Sequence, residues 1–455
     1  MEPGTADIFR TCSQYFSQLK RVLIISPHFP PINAADMQRV RMSLPYFESF
    51  GWTAEVAVVN QKYSDLAKDE LLLQTVPANT VIHKVKALAK KWTSKIGIGG
   101  LALRSIYHYR EQISRLLASQ KFDLIYFSTT QFPVCILGSY WKKKFGIPYV
   151  IDMQDPWHST YYLDKPKSQR PPKYWFSYRL NKYLEPIAMK NVDGIVSVSG
   201  AYIETLESRY AWLKNKPSRI ITFGALEQDF VIAEKNKSKL KLVYQTGPNQ
   251  INLIYIGRGG YDIHPAIKLL FEEILAYKET NPAIFSRLHL HFIGTSYSAN
   301  GTGVPTVAPT AKEMGLSKKV TEYTDRIGFY QSIRNLQEAD GLLIVGSNDA
   351  SYTASKLYPY IMAKKPLLAL FHQQSEAATV IKDCNAGNLI TLDHSYPAVK
   401  RIFEAYLEQV IEKKSPNTNW KEFEKYTAKS LTKKQVDLFD EVLDLKHSKH
   451  LKSKF

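Results

Sequence analysis

The sequence predicts an α/β protein made of two doubly wound, Rossmann-like domains facing a central cleft. Three observations carry this. Short, nearly continuous apolar runs alternate with longer amphipathic stretches almost throughout the chain. The runs are rich in β-branched residues, as strands buried on both faces of a parallel sheet are. The series occurs twice, on either side of the polar, lysine-rich interval EKNKSKLKLVYQTGPNQ, so each half is expected to wind through right-handed β-α-β crossovers.

The first series opens with RVLIIS, Arg21–Ser26. Thr53–Val59, Asp123–Ser128, Tyr149–Met153, Gly194–Ser199 and Arg219–Phe223 continue it. Between the first two lies MQRVRMSLPYFESFG, whose apolar positions recur at helical spacing and which ends on Gly51, a C-terminal stop. The second series comprises Ile251–Gly257, Leu288–Gly294, Val320–Tyr323, Gly341–Val345, Pro366–Phe371 and Asn388–Leu392. The join is expected near Phe223–Glu234, and no short-period repeat interrupts the pattern.

A chain of 455 residues is long for a single core, which agrees with two domains. No apolar run reaches the ~18 residues of a spanning helix, and MEPGTADIFRTCSQYFSQLKR lacks the apolar stretch of a signal peptide. The three cysteines, Cys12, Cys135 and Cys384, are too scattered for a disulfide framework or a metal cluster. Together these features point to a reducing cytoplasm. The net charge of +18 is spread over segments such as AKKWTSK, YWKKKFG and the tail. It fits a solvated basic surface or attraction to an anionic membrane. No zinc-finger spacing or RNA-binding motif accompanies it, so no nucleic-acid partner is expected.

Ligands of doubly wound sheets bind beyond the carboxyl ends of the strands, so the loops there hold the candidates. After the first strand comes SPHFPPINAADMQRVRM, stiffened by prolines, with Ala34 and Ala35 small enough for a ligand to approach backbone. The same loop serves equally as a rigid lead into a helix. IDMQDPWHST clusters Asp152, Asp155 and His158, which position hydroxyls or move protons, or else cap a helix and pair locally. IYIGRGG places three glycines directly after a strand, but the spacing is not G-x-G-x-x-G, so a dinucleotide fingerprint fails. Its Arg258 suits phosphate oxygens. NDASYTASK leads into LYPYIMAKK, where Thr353, Ser355 and Lys356 add donors to a helix start, and Pro359 falls in the first turns, where a missing N–H costs least. An N-cap with a solvated lysine explains the same residues. No D-x-D occurs, so no metal-binding carboxylate pair of that type is expected, and no metal or cofactor is assigned.

The order of these motifs resembles GT-B glycosyltransferases of the retaining, family-4-like group. The carriers are SPHFPPINAADMQRVR, FGIPYVIDMQDPW, VDGIVSVSGAYIETL, LIYIGRGG, RIGFYQSIRNLQEADGLLIVGSNDASYTASKLYPYIMAKKPLLAL and FEKYTAKSLTKKQVDLFDEVL, which together run from about residue 20 to 443. The expected division is an acceptor domain over 1–225, a donor domain over 226–415 and a helical segment over 416–455 that packs back on the first domain. The resemblance implies sugar transfer from a nucleotide-diphosphate-sugar, without a metal, to a glycan, lipid-linked or other acceptor. It matches Arg258 and the segment Thr353, Ala354, Ser355 and Lys356 to the donor diphosphate, Ala34 and Ala35 to the usual glycine pair of the first loop, and Gly328 and Phe329 to the region near the nucleobase. Asp155 and His158 become acceptor-side catalytic candidates.

Two departures stand out. The E-x7-E pattern of the family falls on Ser351 and Pro359, so both glutamates are absent. The lysine that often follows the arginine by a few positions falls near His264, and Lys356 is the residue placed to supply the missing positive charge. The alternative is a non-catalytic GT-B-like protein that binds a nucleotide sugar or acts as a scaffold. The basic segments LAKKWTSKIG and WKKKFG suggest a peripheral position at the inner face of a membrane.

Overall fold

The structure is a computed structural model that describes residues 19–93, 98–160, 163, 167, 170, 174–298, 301–350 and 355–452, with side chains to 448. Of the expected site residues, Thr353 and Ala354 lie outside the described residues.

Two wholly parallel sheets organise the chain. The first has seven strands in the order β3-β2-β1-β4-β5-β6-β7. They are β1 (Lys20–Ile25), β2 (Trp52–Val59), β3 (Val81–Val85), β4 (Leu124–Ser128), β5 (Tyr149–Met153), β6 (Gly194–Ser197) and β7 (Ser218–Ile220). The second has six, in the order β10-β9-β8-β11-β12-β13. They are β8 (Ile251–Ile256), β9 (Leu288–Ile293), β10 (Val320–Tyr323), β11 (Gly341–Val345), β12 (Leu367–Phe371) and β13 (Asn388–Thr391). Every residue of β4, β5, β6, β8, β11 and β12 is buried, which is why these strands read as unbroken apolar runs.

In each sheet the chain builds outward on one side and then returns past its first strand. β1 pairs with both β2 and β4, and β8 with both β9 and β11. The loops after β1 and β4, and after β8 and β11, therefore diverge and open a crevice at the strands' carboxyl ends.

Three elements differ from expectation. β3 was not foreseen: VIHKV sits at a sheet edge with only Val85 buried, so its apolar signal is weak. β7 is shorter than expected and also lies at an edge, with Ile220 half exposed. The helix expected before Gly51 is one short α-helix, Gln38–Ser43, followed by 3-10 turns at Leu44–Tyr46 and Glu48–Phe50. Pro45 cannot supply the N–H that a continuous helix needs. Gly51 still ends the segment in the left-handed region, φ 81°, donating its N–H to the Glu48 carbonyl.

The last helix, Ala428–Lys452, lies against the first sheet. Its Phe439 ring meets those of Trp52 and Tyr126 edge-on at 5.4 and 5.1 Å. Two chain segments thus pass between the halves side by side, joined where the Ala428 N–H donates to the Ala225 carbonyl at 2.8 Å. Beside them a fully buried Arg41 forks onto Asp229 at 2.6 and 2.8 Å, and the Tyr330 hydroxyl of the second half donates to the same carboxylate at 2.9 Å.

Candidate active site

The donor-side candidates come from the second sheet. After β8 the chain turns through Gly257–Gly260. A Cβ on Gly259 would stand 2.2 Å from the Thr306 hydroxyl, and Gly260 has φ 144°, so neither position accepts a larger residue without strain. The N–H groups of Gly257 and Gly259 donate to the Ile293 and Thr295 carbonyls, which ties this turn to the loop after β9. Arg258 is held by Asp262, with Nη1 at 2.8 Å and Nη2 at 2.5 Å from the two carboxylate oxygens. Burial works to raise the pKa of Asp262, but the hydrogen bond and charge of Arg258 outweigh it and keep the carboxyl below its ordinary range. The Asn348 N–H donates to the Asp262 carbonyl, so the loop after β11 is fastened to the same turn.

That second loop delivers Ser355 and Lys356. Both are exposed, and Lys356 caps the six-residue helix Leu357–Met362. The helix stops earlier than expected, at a turn in which Lys364 adopts φ 56°. Although the Lys356 residue borders open space, its ammonium is crowded by protein. Desolvation, then the charges of Arg326 and Arg258, bring its pKa down to about 7. The charges of two guanidiniums on two other loops therefore reach Lys356. Arg326, after β10, stacks over the exposed Tyr297 ring at 5.0 Å.

Gly328 and Phe329 stand elsewhere. Gly328 caps the helix Phe329–Glu338 and lies near Asp69 of the first half, while the Arg41 guanidinium covers the Phe329 ring at 4.9 Å. The two residues belong to the junction between the halves. It is Arg326, two residues earlier, that the same loop brings to the cations.

On the first sheet's side, Ala34 is buried in a small apolar cluster with Ile32, Met37 and Leu72, which Tyr330 and Ile333 cover from the second half. Its N–H donates to the Ile32 carbonyl, and the neighbouring Ala35 is exposed. Beyond them Asp36 is buried. It accepts from the Thr129 hydroxyl at 2.9 Å and the Thr130 N–H at 3.2 Å, and lies 3.0 Å from His28 Nδ1. Burial alone would raise its pKa, but these partners hold it lowered and the group charged.

Asp155, on the loop after β5, feels that charge. Desolvation first, and Asp36 second, push its pKa up to about 6. Tyr202, at the start of the helix Gly200–Arg209, is raised to about 12 by burial and then by Asp155, Asp349 and Glu376. Those last two come from the second half, so Tyr202 looks across the cleft, with Asp155 close to it. Its floor closes where Thr222 and Phe223 meet Ser355, Leu357 and Tyr358.

His158 does not join Asp155. It is buried, its ring lies 4.7 Å from that of Tyr178, and burial, then Arg209 and Lys182, lower its pKa. Its Nε2 has no hydrogen-bond partner among the described residues. It packs the loop onto the helices Tyr174–Met189 and Gly200–Arg209 and is withdrawn from the cleft. Asp152 is likewise structural, receiving Arg39 Nε at 2.7 Å and the Ser128 hydroxyl at 2.8 Å.

Asp36, Tyr202, Asp262 and Arg326 were not singled out from the sequence. Each lies in the loop or first helical turn after a strand that the motifs did flag, so position was the available signal. Among the described residues no group of three or more His, Cys, Asp or Glu is placed to hold a metal ion, and no helix is long and apolar enough to cross a membrane.

No family model matches the chain, and no curated protein does. Solved structures do. α,α-Trehalose 6-phosphate synthase from Burkholderia multivorans is 10% identical, with a TM-score of 0.55, covering 95% of this chain and 98% of that one. A mutant of S. aureus TarM in complex with fondaparinux, α-GlcNAc-glycerol and UDP is 10% identical, with a TM-score of 0.55, covering 92% and 99%. Anabaena HepE in complex with UDP is 14% identical, with a TM-score of 0.50, covering 95% and 100%. At these identities the likeness is one of fold, and it extends over both halves.

Proposed function

We propose that this chain, which has the GT-B glycosyltransferase fold, moves a sugar from a nucleotide-diphosphate-sugar to a glycan, lipid-linked or other acceptor. The observation that carries this is that the charges of Arg258 and Arg326 reach Lys356 in the loops at the carboxyl edge of the second sheet, while Tyr202 of the first half, beside Asp155, feels Asp349 and Glu376 of the second. A lysine held below its ordinary pKa first by desolvation and then by two guanidinium charges is matched to a dense anion, and a diphosphate is one.

In this reading the anomeric C–O bond to the diphosphate breaks and a C–O bond to the acceptor hydroxyl forms. The acceptor proton passes to a leaving phosphate oxygen, so no separate protein base is required and the anomeric configuration is retained. The transition state is oxocarbenium-like and negative charge grows on the phosphate. Arg258, oriented by Asp262, and Lys356 answer that charge. Asp155 positions the acceptor hydroxyl. The reading places the protein in the cytoplasm, with the acceptor presented at the inner face of a membrane.

A second reading, a nucleotide-sugar-binding protein without turnover, is favoured by one feature: Ser351 and Pro359 occupy the positions of both family glutamates. One experiment separates the two. A thermal-shift panel of UDP, GDP, ADP and dTDP identifies the base, and the matching sugar donors are then assayed for nucleotide release with and without a lipid-linked glycan acceptor. Acceptor-dependent release supports transfer. A stabilising shift without release under any acceptor supports the binding protein, and no shift with any nucleotide removes both.

A further inference from the structure

The helix Tyr174–Met189 has an unusual outward face. Trp175, Phe176, Tyr183 and Ile187 are 64%, 39%, 69% and 37% exposed. Arg179, Lys182 and Lys190 are exposed among them. These positions recur at steps of one, three and four residues, which puts them on a single stripe. The opposite side buries Leu184, Ala188 and Met189 in the core. The helix has one acid, Glu185, and that residue is turned inward, where it accepts from Arg209 at 3.0 Å and from the Tyr210 hydroxyl at 2.9 Å. The outward stripe therefore carries large apolar groups and cations with no acidic residue.

The neighbouring helix Ile136–Phe145 extends the pattern. It is joined by the Ser139 hydroxyl, which donates to the Ile187 carbonyl at 2.9 Å, and it exposes Lys143 and Lys144. Next to these, Arg110 lies over the Tyr140 ring at 4.7 Å. The acids on this side are paired with cations, Glu111 with Arg115 and Asp193 with Lys142. Beside the stripe a groove of about 390 Å³ opens between Leu103, Phe132, Phe176 and Leu180. Its inner end reaches Thr130 and Trp157, residues adjoining the Asp36 and Asp155 loops.

Exposed aromatic side chains cost water contacts unless something covers them. A protein partner of ordinary composition would not require a face cleared of acids. An interface offering both a phosphate layer and an acyl boundary does, because amphipathic rings settle at the headgroup level and basic stems reach the phosphates. We propose that the outward face of Tyr174–Met189 docks on an anionic lipid bilayer. Trp175, Phe176, Tyr183 and Ile187 enter the interface, and Arg179, Lys182 and Lys190 meet lipid phosphates. This rests on the donor reading only for its purpose, since it brings the groove and the cleft behind it to an acceptor held in the membrane.

The test is flotation with phosphatidylcholine vesicles, with and without phosphatidylglycerol, using the full chain and three variants. W175S/Y183S removes aromatics, R179E/K182E reverses charges, and K312E/K318E makes the same charge change at exposed lysines of the other half. The wild type and K312E/K318E float with anionic vesicles and release at high salt, and each stripe variant binds roughly tenfold or more weakly. The proposal is overturned by a wild type that does not float, by stripe variants that float like the wild type, or by equal losses in all three variants, which would reduce binding to net charge. It is also overturned if W175S/Y183S turns a dimer into a monomer in sedimentation and leaves flotation intact. Melting and the nucleotide shift are measured on the same preparations. A nucleotide shift without flotation removes this assignment alone, and flotation without any nucleotide shift removes the donor reading alone.

Discussion

Lys356 gives the most exacting prediction. Free of ligand, its pKa is about 7, because protein surrounds the ammonium and Arg326 and Arg258 repel it. A bound diphosphate brings two negative phosphates to the same place and restores the proton. If only the protonated form grips the donor, apparent affinity scales with the protonated fraction. With a pKa of about 7, that fraction is about 0.9 at pH 6, 0.5 at pH 7 and 0.03 at pH 8.5, so Kd rises about 30-fold from pH 6 to pH 8.5. Calorimetry in two buffers of different ionisation enthalpy should count an uptake of about half a proton at pH 7. A nucleotide-sugar is the right titrant, since its diphosphate has no ionisation near neutrality. Lys356→Met should weaken binding at pH 6 and abolish both the slope and the proton uptake. Ligand-free stability supplies an independent sign. The folded pKa lies below the ordinary lysine value of 10.5, so the unfolded chain binds more protons between the two. Wild-type stability then rises with pH across that window. Lys356→Met should be the more stable protein below pH 7, with the gap closing toward pH 10. A flat Kd profile in the wild type, or an unchanged slope in the variant, refutes the reasoning.

Asp155→Asn should leave donor binding unchanged and lower turnover by about tenfold or more. In the wild type, activity should fall as pH drops through about 6, where Asp155 gains its proton, and kcat profiles of the variant should lack that limb. Asp262→Asn keeps the Arg258 charge but loosens its carboxylate anchor, so donor Kd should rise about tenfold with little change in melting temperature. Asp229→Ala strands the buried Arg41 between the halves. Denaturant unfolding should show a loss of about 3–5 kcal/mol.

The fold was largely legible because its central strands are buried on both faces. VLII, LIYFS and GLLIV carry their burial in their composition, with no competing period. VIHKV was missed because an edge strand with one buried residue has little to distinguish it from a loop. For the site, the loops were legible and the side chains only partly so. Strand ends mark where ligands meet a doubly wound sheet, which singled out Arg258, Lys356 and Asp155 as candidates. What sequence cannot show is the direction in which a loop residue points. Asp155 and His158 are three residues apart, yet the turn at Pro156 sends one to the cleft and the other under Tyr178. Gly328 and Phe329 were drawn to the nucleobase region by motif order, while packing against Arg41 uses them to join the halves. Arg326 and Asp262 act through partners distant in sequence or through a local ion pair, and neither relation has a periodic signature.

The lost glutamates and the gathered cations bear on one another. Neither family glutamate is present in the segment around Lys356: positions 351 and 359 are serine and proline. Desolvation first, and Arg326 and Arg258 second, push the Lys356 ammonium toward neutrality. That is a poor arrangement for an empty site and a favourable one for an anion whose charge increases during reaction. As the C–O bond to the diphosphate stretches, each increment of negative charge raises the proton affinity of Lys356 and strengthens its attraction, so the interaction gains more in the transition state than in the bound donor. On the donor reading, the absence of a carboxylate partner for the ribose predicts a weaker grip there, and the exposed Tyr297 ring under Arg326 is a surface on which a base could stack. On that reading donor selection rests on phosphate charge and base stacking more than on ribose hydroxyls, and 2′-deoxy donors should be discriminated against only slightly.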